Sequence, residues 1–441
     1  MSAARNVKSP VTACLALLFV VTACSPFLAF AGEFSGTARI TIRDARFLQA
    51  PPYPVENDEV SFTTDYDRRF DLSKKISFQF HPYLYGTTLK DRRQQQVVFD
   101  PRSFYLNVEP KFGWLKVGFL TMKWEGTDGL NPMDIASMKD WSDPLMSETR
   151  ASGAVAIGKS GDSYDFELAY IPLQTLWLLP GTKSPWLPRR FNFPLRASNF
   201  DVRLPDRIEY QFTDPLELNE PRRNNFASRL QVRGGFGDLA LAYYEGLADS
   251  PAIEPTLDAT LVNGAPNAIQ LISPATLTAV AYRVRTVAGF ASHAFGQWIF
   301  RASSRYDQPI GSDSRLPEWS QNTVAGFERG FEIGANTWTA ILQGAWVRAP
   351  EGASLLTVKD VFNQTVLFGL RAPMGETWTA MISGFKTTKD SSYYAKAELG
   401  YRFSDHWRTD GSIELLDGPS TTLLGVFGAN NRAMISLSGV Y

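Results

Sequence analysis

Apolar and polar residues alternate with a period of two along most of this chain, and after residue 31 no run of 18 or more apolar residues interrupts the alternation. Successive side chains of a strand point to opposite faces, so this period calls for β-structure with one apolar and one polar face. The last ten residues show it most cleanly. Ala433, Ile435, Leu437, Gly439 and Tyr441 share one face; Met434, Ser436, Ser438 and Val440 share the other. Earlier segments repeat it. Ala38, Ile40 and Ile42 alternate with Thr37, Arg39, Thr41 and Arg43. Ile76, Phe78, Phe80 and Leu84 alternate with Ser77, Gln79, His81 and Tyr83, and Tyr164, Phe166, Leu168 and Tyr170 with Asp165, Glu167 and Ala169. Trp407, Ile413 and Leu415 oppose Arg408, Asp410, Ser412 and Glu414. In a soluble sandwich the charged face is outermost; in a membrane barrel the apolar face meets lipid and the charged face lines the lumen.

Composition discriminates between the two. Aromatic residues make up 13% of the chain while mean hydropathy is only −0.17. A helical membrane protein is excluded, because it needs spans of about 20 apolar residues. A transmembrane barrel hides its apolar residues in alternation and keeps a polar average. No internal repeat, low-complexity tract or long helical pattern is present.

The pattern predicts 18 strands, at 35–46, 57–68, 74–86, 100–110, 113–125, 150–158, 163–172, 225–235, 237–247, 276–291, 296–306, 320–331, 336–348, 362–372, 376–387, 392–403, 406–416 and 431–441. Sixteen remain if two of the weaker strands are absent. Short turns at 71–74, 158–163, 234–237, 372–376 and 404–405 fall between long connectors at 47–56, 87–99, 126–149, 173–224, 248–275, 307–319, 349–361 and 417–430. Short turns on one side and long loops on the other are the habit of an up-and-down barrel, and an even count puts both termini on the turn side. Thr421–Gly428 competes as a nineteenth strand. It reads as an outer loop with a helical turn, because an odd count would carry Tyr441 to the opposite side.

A closing strand that stops on an aromatic residue resembles the sorting signal of bacterial outer-membrane barrels. That resemblance implies that Tyr441 serves membrane sorting and assembly by the barrel assembly machinery. The other end agrees. Arg5 and Lys8 precede an apolar stretch of 14 residues from Val11 to Cys24, too short to span a bilayer. Pro26 breaks it, and Ala29-Phe30-Ala31 offers small residues for cleavage after Ala31. Residues 1–31 are thus expected to be a Sec-type signal, with 32–441 a single barrel domain. Val21-Thr22-Ala23-Cys24 competes as a lipoprotein box that would acylate Cys24. Cleavage at Ala31 removes both cysteines, Cys14 and Cys24, and leaves 42 basic against 45 acidic residues, so no disulfide, cysteine–metal site or nucleic-acid partner is expected.

Leu115-Lys116-Val117-Gly118, then Trp124-Glu125-Gly126-Thr127-Asp128-Gly129-Leu130-Asn131-Pro132-Met133-Asp134, and finally Phe427-Gly428-Ala429-Asn430-Asn431-Arg432 together resemble the porin-like family that includes alginate-export porins and related outer-membrane proteins. Members end a strand with a tryptophan-glycine pair and follow it with an asparagine-proline-x-aspartate loop. Here Glu125 separates the tryptophan from the glycine, and the last residue is Tyr rather than the commoner Phe. The resemblance implies an all-β, antiparallel, 18-stranded diffusion channel in the outer membrane of a Gram-negative cell, bounded by lipid and lipopolysaccharide, with a small-molecule solute and no cofactor.

The longest connector, 173–224, is the expected gate. It holds Trp177, Trp186, Arg189, Arg190, Arg196, Arg203, Arg207, Arg222 and Arg223, with frequent prolines. Long loops without regular structure are usually functional, and arginines at a constriction would favour anions. The same arginines could grip lipopolysaccharide phosphates at the rim or pair with Asp201, Asp206, Glu209, Asp214 and Glu217. Arginines of lumen parity are expected at Arg39, Arg43, Arg229, Arg233, Arg283, Arg285, Arg301, Arg402 and Arg408, and acids of lumen parity at Glu109, Asp165, Glu167, Glu398 and Glu414, as opposing strips or as a scatter. Of these, Arg229, Arg233, Arg283 and Arg301 join the connector arginines as constriction candidates. The expected solutes are small, hydrophilic and neutral or weakly anionic. The connector 126–149 reads as a structured loop bracing the mouth; its acids Asp128, Asp134, Asp140, Asp143 and Glu148 lack calcium-loop spacing.

Two alternatives compete. A channel of the fatty-acid type would use Leu173, Leu176, Trp177, Leu178 and Leu179 as an apolar entrance. A hydrolase would need a nucleophile and base, yet only His81, His293 and His406 occur, with no G-x-S-x-G elbow; Asp405-His406 falls at a short turn. No plug domain is expected, because the first strand begins close to Ala31.

Overall fold

The computed structural model describes residues 37–48, 58–87, 96–187, 201–203, 209–213, 220–263, 265–311, 313–350, 362–419 and 422–440. Ala31, Cys14, Cys24 and Tyr441 lie outside them.

In chain order the strands are β1 (Thr37–Phe47), β2 (Asp58–Ser73), β3 (Ile76–Thr87), β4 (Val97–Val108), β5 (Trp114–Leu120), β6 (Met138–Asp140), β7 (Glu148–Arg150), β8 (Ser152–Ser160), β9 (Tyr164–Leu173), β10 (Asp201–Arg203), β11 (Tyr210–Thr213) and β12 (Arg223–Gly234). They continue as β13 (Gly237–Leu247), β14 (Ala252–Val262), β15 (Ala265–Val280), β16 (Arg283–Phe295), β17 (Trp298–Ile310), β18 (Ser320–Ile333), β19 (Asn336–Arg348), β20 (Thr365–Met374), β21 (Trp378–Thr387), β22 (Tyr393–Arg402), β23 (Trp407–Asp417) and β24 (Arg432–Val440).

Eighteen of these form one closed antiparallel barrel. Each pairs with the next in chain order, omitting β6, β7, β10, β11, β14 and β15. β1 closes on β24, with Arg39 opposite Val440 and Phe47 opposite Arg432. Closure leaves no free edge, so every strand has two hydrogen-bonded neighbours, as a strand in lipid requires.

The alternation places the residues as their chemistry demands. Leu241, Leu342 and Ile435 face outward with 57–60% of their surface exposed, and Phe104, Val117, Phe166, Val287, Phe327 and Ile413 join them around the circumference. So extensive an exposed apolar belt is foreign to a soluble monomer and is the surface of a transmembrane barrel. Paired with those strands' inward positions are charged and small residues.

The strand count of 18 stands, and the short turns lie at one end with the long connectors at the other. Two of the boundary differences change the course of the chain. The segment 276–291 is not one strand: β15 ends at Val280, and barrel pairing resumes at Arg283. β15 instead pairs antiparallel with β14 and parallel with the short β10 and β11, giving a four-stranded sheet within the connectors. Period two is the same in both sheets, so it could not mark the switch. β5 stops at Leu120 rather than 125, because the chain leaves the wall there. One outer connector, 388–392, is short. Leu423–Val426 is a helical turn (α1) capped by Thr422, whose Oγ1 accepts from Gly425 N at 3.1 Å, so no nineteenth strand forms.

Candidate pore constriction

The chain between β5 and β8 folds into the barrel rather than over its mouth. Trp124, Met133, Ile135 and Ala136 are buried against a patch of the inner wall made by Ala154 and Ala156 on β8, Ala169 and Ile171 on β9, Ala227 on β12, Ala242 and Tyr244 on β13, and Ala288 on β16. Five successive strands thus present small apolar residues inward where a water-filled lumen would carry polar ones. Alanine leaves room for a second layer of chain, and that layer removes the apolar wall from water.

The loop's own turns are specified locally. Asn131 Nδ2 donates to Trp124 O at 2.8 Å, and its Oδ1 accepts from Met133 N at 3.0 Å. Gly126 lies against that amide: a Cβ there would come within 1.8 Å of Asn131 Oδ1. Trp124 Nε1 donates to Glu167 Oε2 at 3.3 Å. Ser137 Oγ donates to Met122 O at 2.8 Å and accepts from Met122 N at 3.0 Å. The spaced tryptophan-glycine and asparagine-proline elements are therefore one folded turn.

Polar contacts then tie this loop to distant wall. Asp128 pairs with Arg301 on β17, which also meets Glu328 Oε2 at 3.0 Å. Thr127 Oγ1 and Ser303 Oγ stand 2.9 Å apart, and Gly129 N donates to Gln343 Oε1 on β19 at 3.1 Å. The return leg meets β24 and β1: Arg432 bridges Asp143 and Glu414, and Arg43 Nη1 lies 3.5 Å from Met146 Sδ. Arg150 Nε reaches Asp100 Oδ2 at 3.3 Å. The loop therefore spans the lumen from β5 to the opposite wall.

A second stretch, Gln174–Leu187, lies alongside it. Gln174 Nε2 donates to Ala136 O at 3.1 Å, and Trp141 N to Leu178 O at 2.7 Å. Trp177 and Leu179 pack with Met138, Leu247 and Ala279; Trp186 packs on Phe427 with ring centroids 5.7 Å apart. Asn430 Nδ2 donates to Pro185 O at 2.8 Å, fixing this stretch to the connector before β24. Two connectors thus occupy the barrel interior. The 126–149 segment, expected to brace the mouth, is the larger described obstruction, and the alanine wall was the signal that could have revealed it.

The candidate residues separate accordingly. Arg189, Arg190, Arg196 and Arg207 lie outside the described residues. Arg203 is on β10, in the connector sheet. Arg229, Arg233 and Arg301 face the lumen, with Arg233 paired to Asp165. Arg283 and Arg285 do not. They share the outward parity of Val287, which is 44% exposed; Arg285 Nε meets Glu245 Oε2 at 3.2 Å, and Arg283 caps the backbone carbonyls of Pro221, Arg223 and Asn224 at the rim. A strand that begins at Arg283 puts Val284 and Thr286 inward and reverses the expectation.

Several of the described lumen charges form local pairs. Lys396 Nζ lies 2.8 Å from Glu398, Arg408 Nη2 2.5 Å from Asp410, and Lys139 Nζ 3.2 Å from Asp134. A polar cavity of about 280 Å³ remains between the return leg and the wall, lined by Arg43, Glu148, Lys396, Glu398, Asp410 and Ser436 among others. The five connector acids are dispersed: Asp128, Asp134, Asp143 and Glu148 each meet a different cation, while Asp140 Oδ1 accepts from Ser142 N at 2.9 Å. Trp177, Leu178 and Leu179 are buried in the interior pack, so they do not form an apolar entrance. His406 Nδ1 stands 3.0 Å from Val440 O at the turn end.

No family model and no curated protein sequence matches the chain. Among solved structures it is similar to OccAB3 of Acinetobacter baumannii, at 9% identity over 92% of this chain and 99% of that one, with a TM-score of 0.49. It is also similar to the outer membrane protein opdK of Pseudomonas aeruginosa, at 9% identity, 92% and 99% coverage and a TM-score of 0.46. Salmonella typhi OmpF is similar at 10% identity, 92% and 97% coverage and a TM-score of 0.43.

Proposed function

We propose that this protein is a porin-like channel of a Gram-negative outer membrane, passing small hydrophilic solutes by passive diffusion or export. One observation carries the reading: a closed 18-stranded barrel with an apolar exterior has a polar interior narrowed by inward-folded connectors. Barrels of 16–18 strands are wide enough for an aqueous path, and an internal constriction converts a wide tube into a selective one. In this reading the outer belt faces lipid, the connector end meets lipopolysaccharide, and Tyr441 serves sorting. Paired lumen charges favour neutral solutes, and the arginines of 173–224 add a weak preference for anions.

The test is planar-bilayer recording of the purified protein. Discrete ohmic steps are expected, and their absence would sink the channel. Replacing Arg189, Arg190 and Arg196 together with Ala is expected to lower anion-over-cation permeability. An unchanged reversal potential removes those residues from the gate while leaving the channel intact. A lipolysis or peptidase assay on the same preparation tests the hydrolase alternative, and no turnover is expected.

A further inference from the structure

The polar cavity of about 280 Å³ lies between the return leg and the wall made by β22, β23, β24 and β1. That wall stands across the barrel from the alanine patch on β8, β9, β12, β13 and β16, against which the loop packs. Three hydroxyl side chains line the cavity: Ser147 on the return leg, Ser412 on β23 and Ser436 on β24. Arg43, Lys396, Glu148, Glu398 and Asp410 supply its charges.

Each acid of this lining has a cation of its own. Glu148 Oε2 lies 2.9 Å from Arg102 Nη2, Glu398 Oε2 2.8 Å from Lys396 Nζ, and Asp410 Oδ1 2.5 Å from Arg408 Nη2. Arg43 is left over. Its Nη1 lies 3.5 Å from Met146 Sδ, a weak acceptor, and no carboxylate among the described residues pairs with it. Asp143 and Glu414 share Arg432 and do not line the cavity. The lining with its immediate partners thus carries one uncompensated positive charge, on a guanidinium with N–H donors to spare.

Charge, hydroxyls and volume together select a ligand class. A carboxylate answers Arg43 with charge-assisted and potentially bidentate hydrogen bonds. Hydroxyls on the same molecule answer the three serines, which both donate and accept. By comparison with a cavity of about 150 Å³ that takes benzene, 280 Å³ suits roughly a dozen heavy atoms. We infer that Arg43 sets solute preference in the passage beside the loop, and that this cavity takes a small hydroxylated organic monoanion ahead of its neutral counterpart.

The passage rests on the channel reading, whereas the binding site does not, so each is measured separately. Saturation-transfer NMR in detergent uses gluconate as the anionic probe and sorbitol as a neutral probe of nearly the same size. Wild-type barrel should bind gluconate saturably and at least tenfold more tightly than sorbitol. Arg43→Gln should abolish that preference, and Arg43→Lys should keep most of it. Loss of the Met146 contact alone would weaken both probes equally, so the ratio of affinities reports the charge. Heat-modifiable migration on gels confirms that each variant is folded. In planar bilayers Arg43→Gln should lower anion-over-cation permeability while steps of conductance persist. Equal affinity for the two probes, no saturable gluconate signal, or an unchanged ratio in Arg43→Gln would overturn the site. An unchanged reversal potential in conducting Arg43→Gln channels would overturn the role in the passage. Silent bilayers with Arg43-dependent gluconate binding would overturn the channel and uphold the site.

Discussion

Arg432 and Asp143 are separated by 289 residues of sequence and meet at 2.5 Å between Nη1 and Oδ2. Arg432 sits at the start of the closing strand and Asp143 on the return leg of the inward loop, so this contact joins barrel closure to the constriction. Glu414 Oε2 holds Arg432 Nε at 2.6 Å, and Arg432 is 3% exposed. Asp143→Asn should leave the Arg432–Glu414 pair intact while loosening the return leg. Single-channel recording should show larger or noisier steps, with the barrel still heat-modifiable. Arg432→Ala is harsher: it leaves Glu414 buried without its cation, a loss of about 3–5 kcal/mol in such sites, and should lower thermal stability measurably.

Thr127 and Ser303 supply a direct test of the inward fold. Their hydroxyl oxygens are 2.9 Å apart across 176 residues. A Thr127→Cys, Ser303→Cys pair should oxidise to a cross-link, detected as a mobility change that reductant reverses. If the loop instead stood outside the barrel, no cross-link would form.

Gly126 is required by space rather than by backbone dihedral. Its added Cβ would overlap Asn131 Oδ1, which is itself fixed by two hydrogen bonds. Gly126→Ala should displace the turn and cost on the order of 1–3 kcal/mol, as overpacking generally does. Gly411→Ala, where nothing lies within 4 Å, should stay within about 0.5 kcal/mol of wild type in the same denaturation series.

The alanine wall makes a further prediction. Ala169 and Ala227 are at most 1% exposed and touch the loop's apolar residues. Leucine at either position leaves no space for the second layer. Ala227→Leu should raise conductance by pushing the loop from the wall, while an outward control, Leu241→Ala, should leave conductance unchanged.

Asp313 gives a pH expectation outside the membrane. The side chain of Arg315, followed by its backbone N–H, holds the Asp313 carboxyl below its ordinary value of 3.8, and Arg315 also reaches Glu254 Oε1 at 2.8 Å. A carboxyl lowered by folding stabilises above its ordinary value and loses that contribution as pH falls through the lowered one. Relative to the intrinsic amide rate at each pH, the exchange protection of 313–316 should therefore hold from pH 7 to pH 5 and fall only below about pH 4.

The barrel was legible because its code is local and repeated. Each strand declares its two faces with no knowledge of its neighbours, as in Ile76–Leu84 or Trp407–Leu415, and connector lengths then give the sense of each strand. Legibility failed where one period serves two sheets. Val280 and Arg283 sit on the same alternation, yet the first belongs to the connector sheet and the second to the wall. The lumen parity of Arg283 and Arg285 was misassigned for that reason.

By itself, then, the sequence determined an 18-stranded, lipid-facing barrel with its long connectors at one end, because apolar alternation and turn spacing act over a few residues. Only the tertiary structure decided that 121–150 is the inner layer, that Arg432 belongs with Asp143, and that Arg305, Asp134 and Asn322 line one cavity. Those outcomes depend on which strands stand opposite once the sheet has closed. Closure brings together residues as far apart as Thr41 and Ser438, 397 positions along the chain, and no local period records that distance.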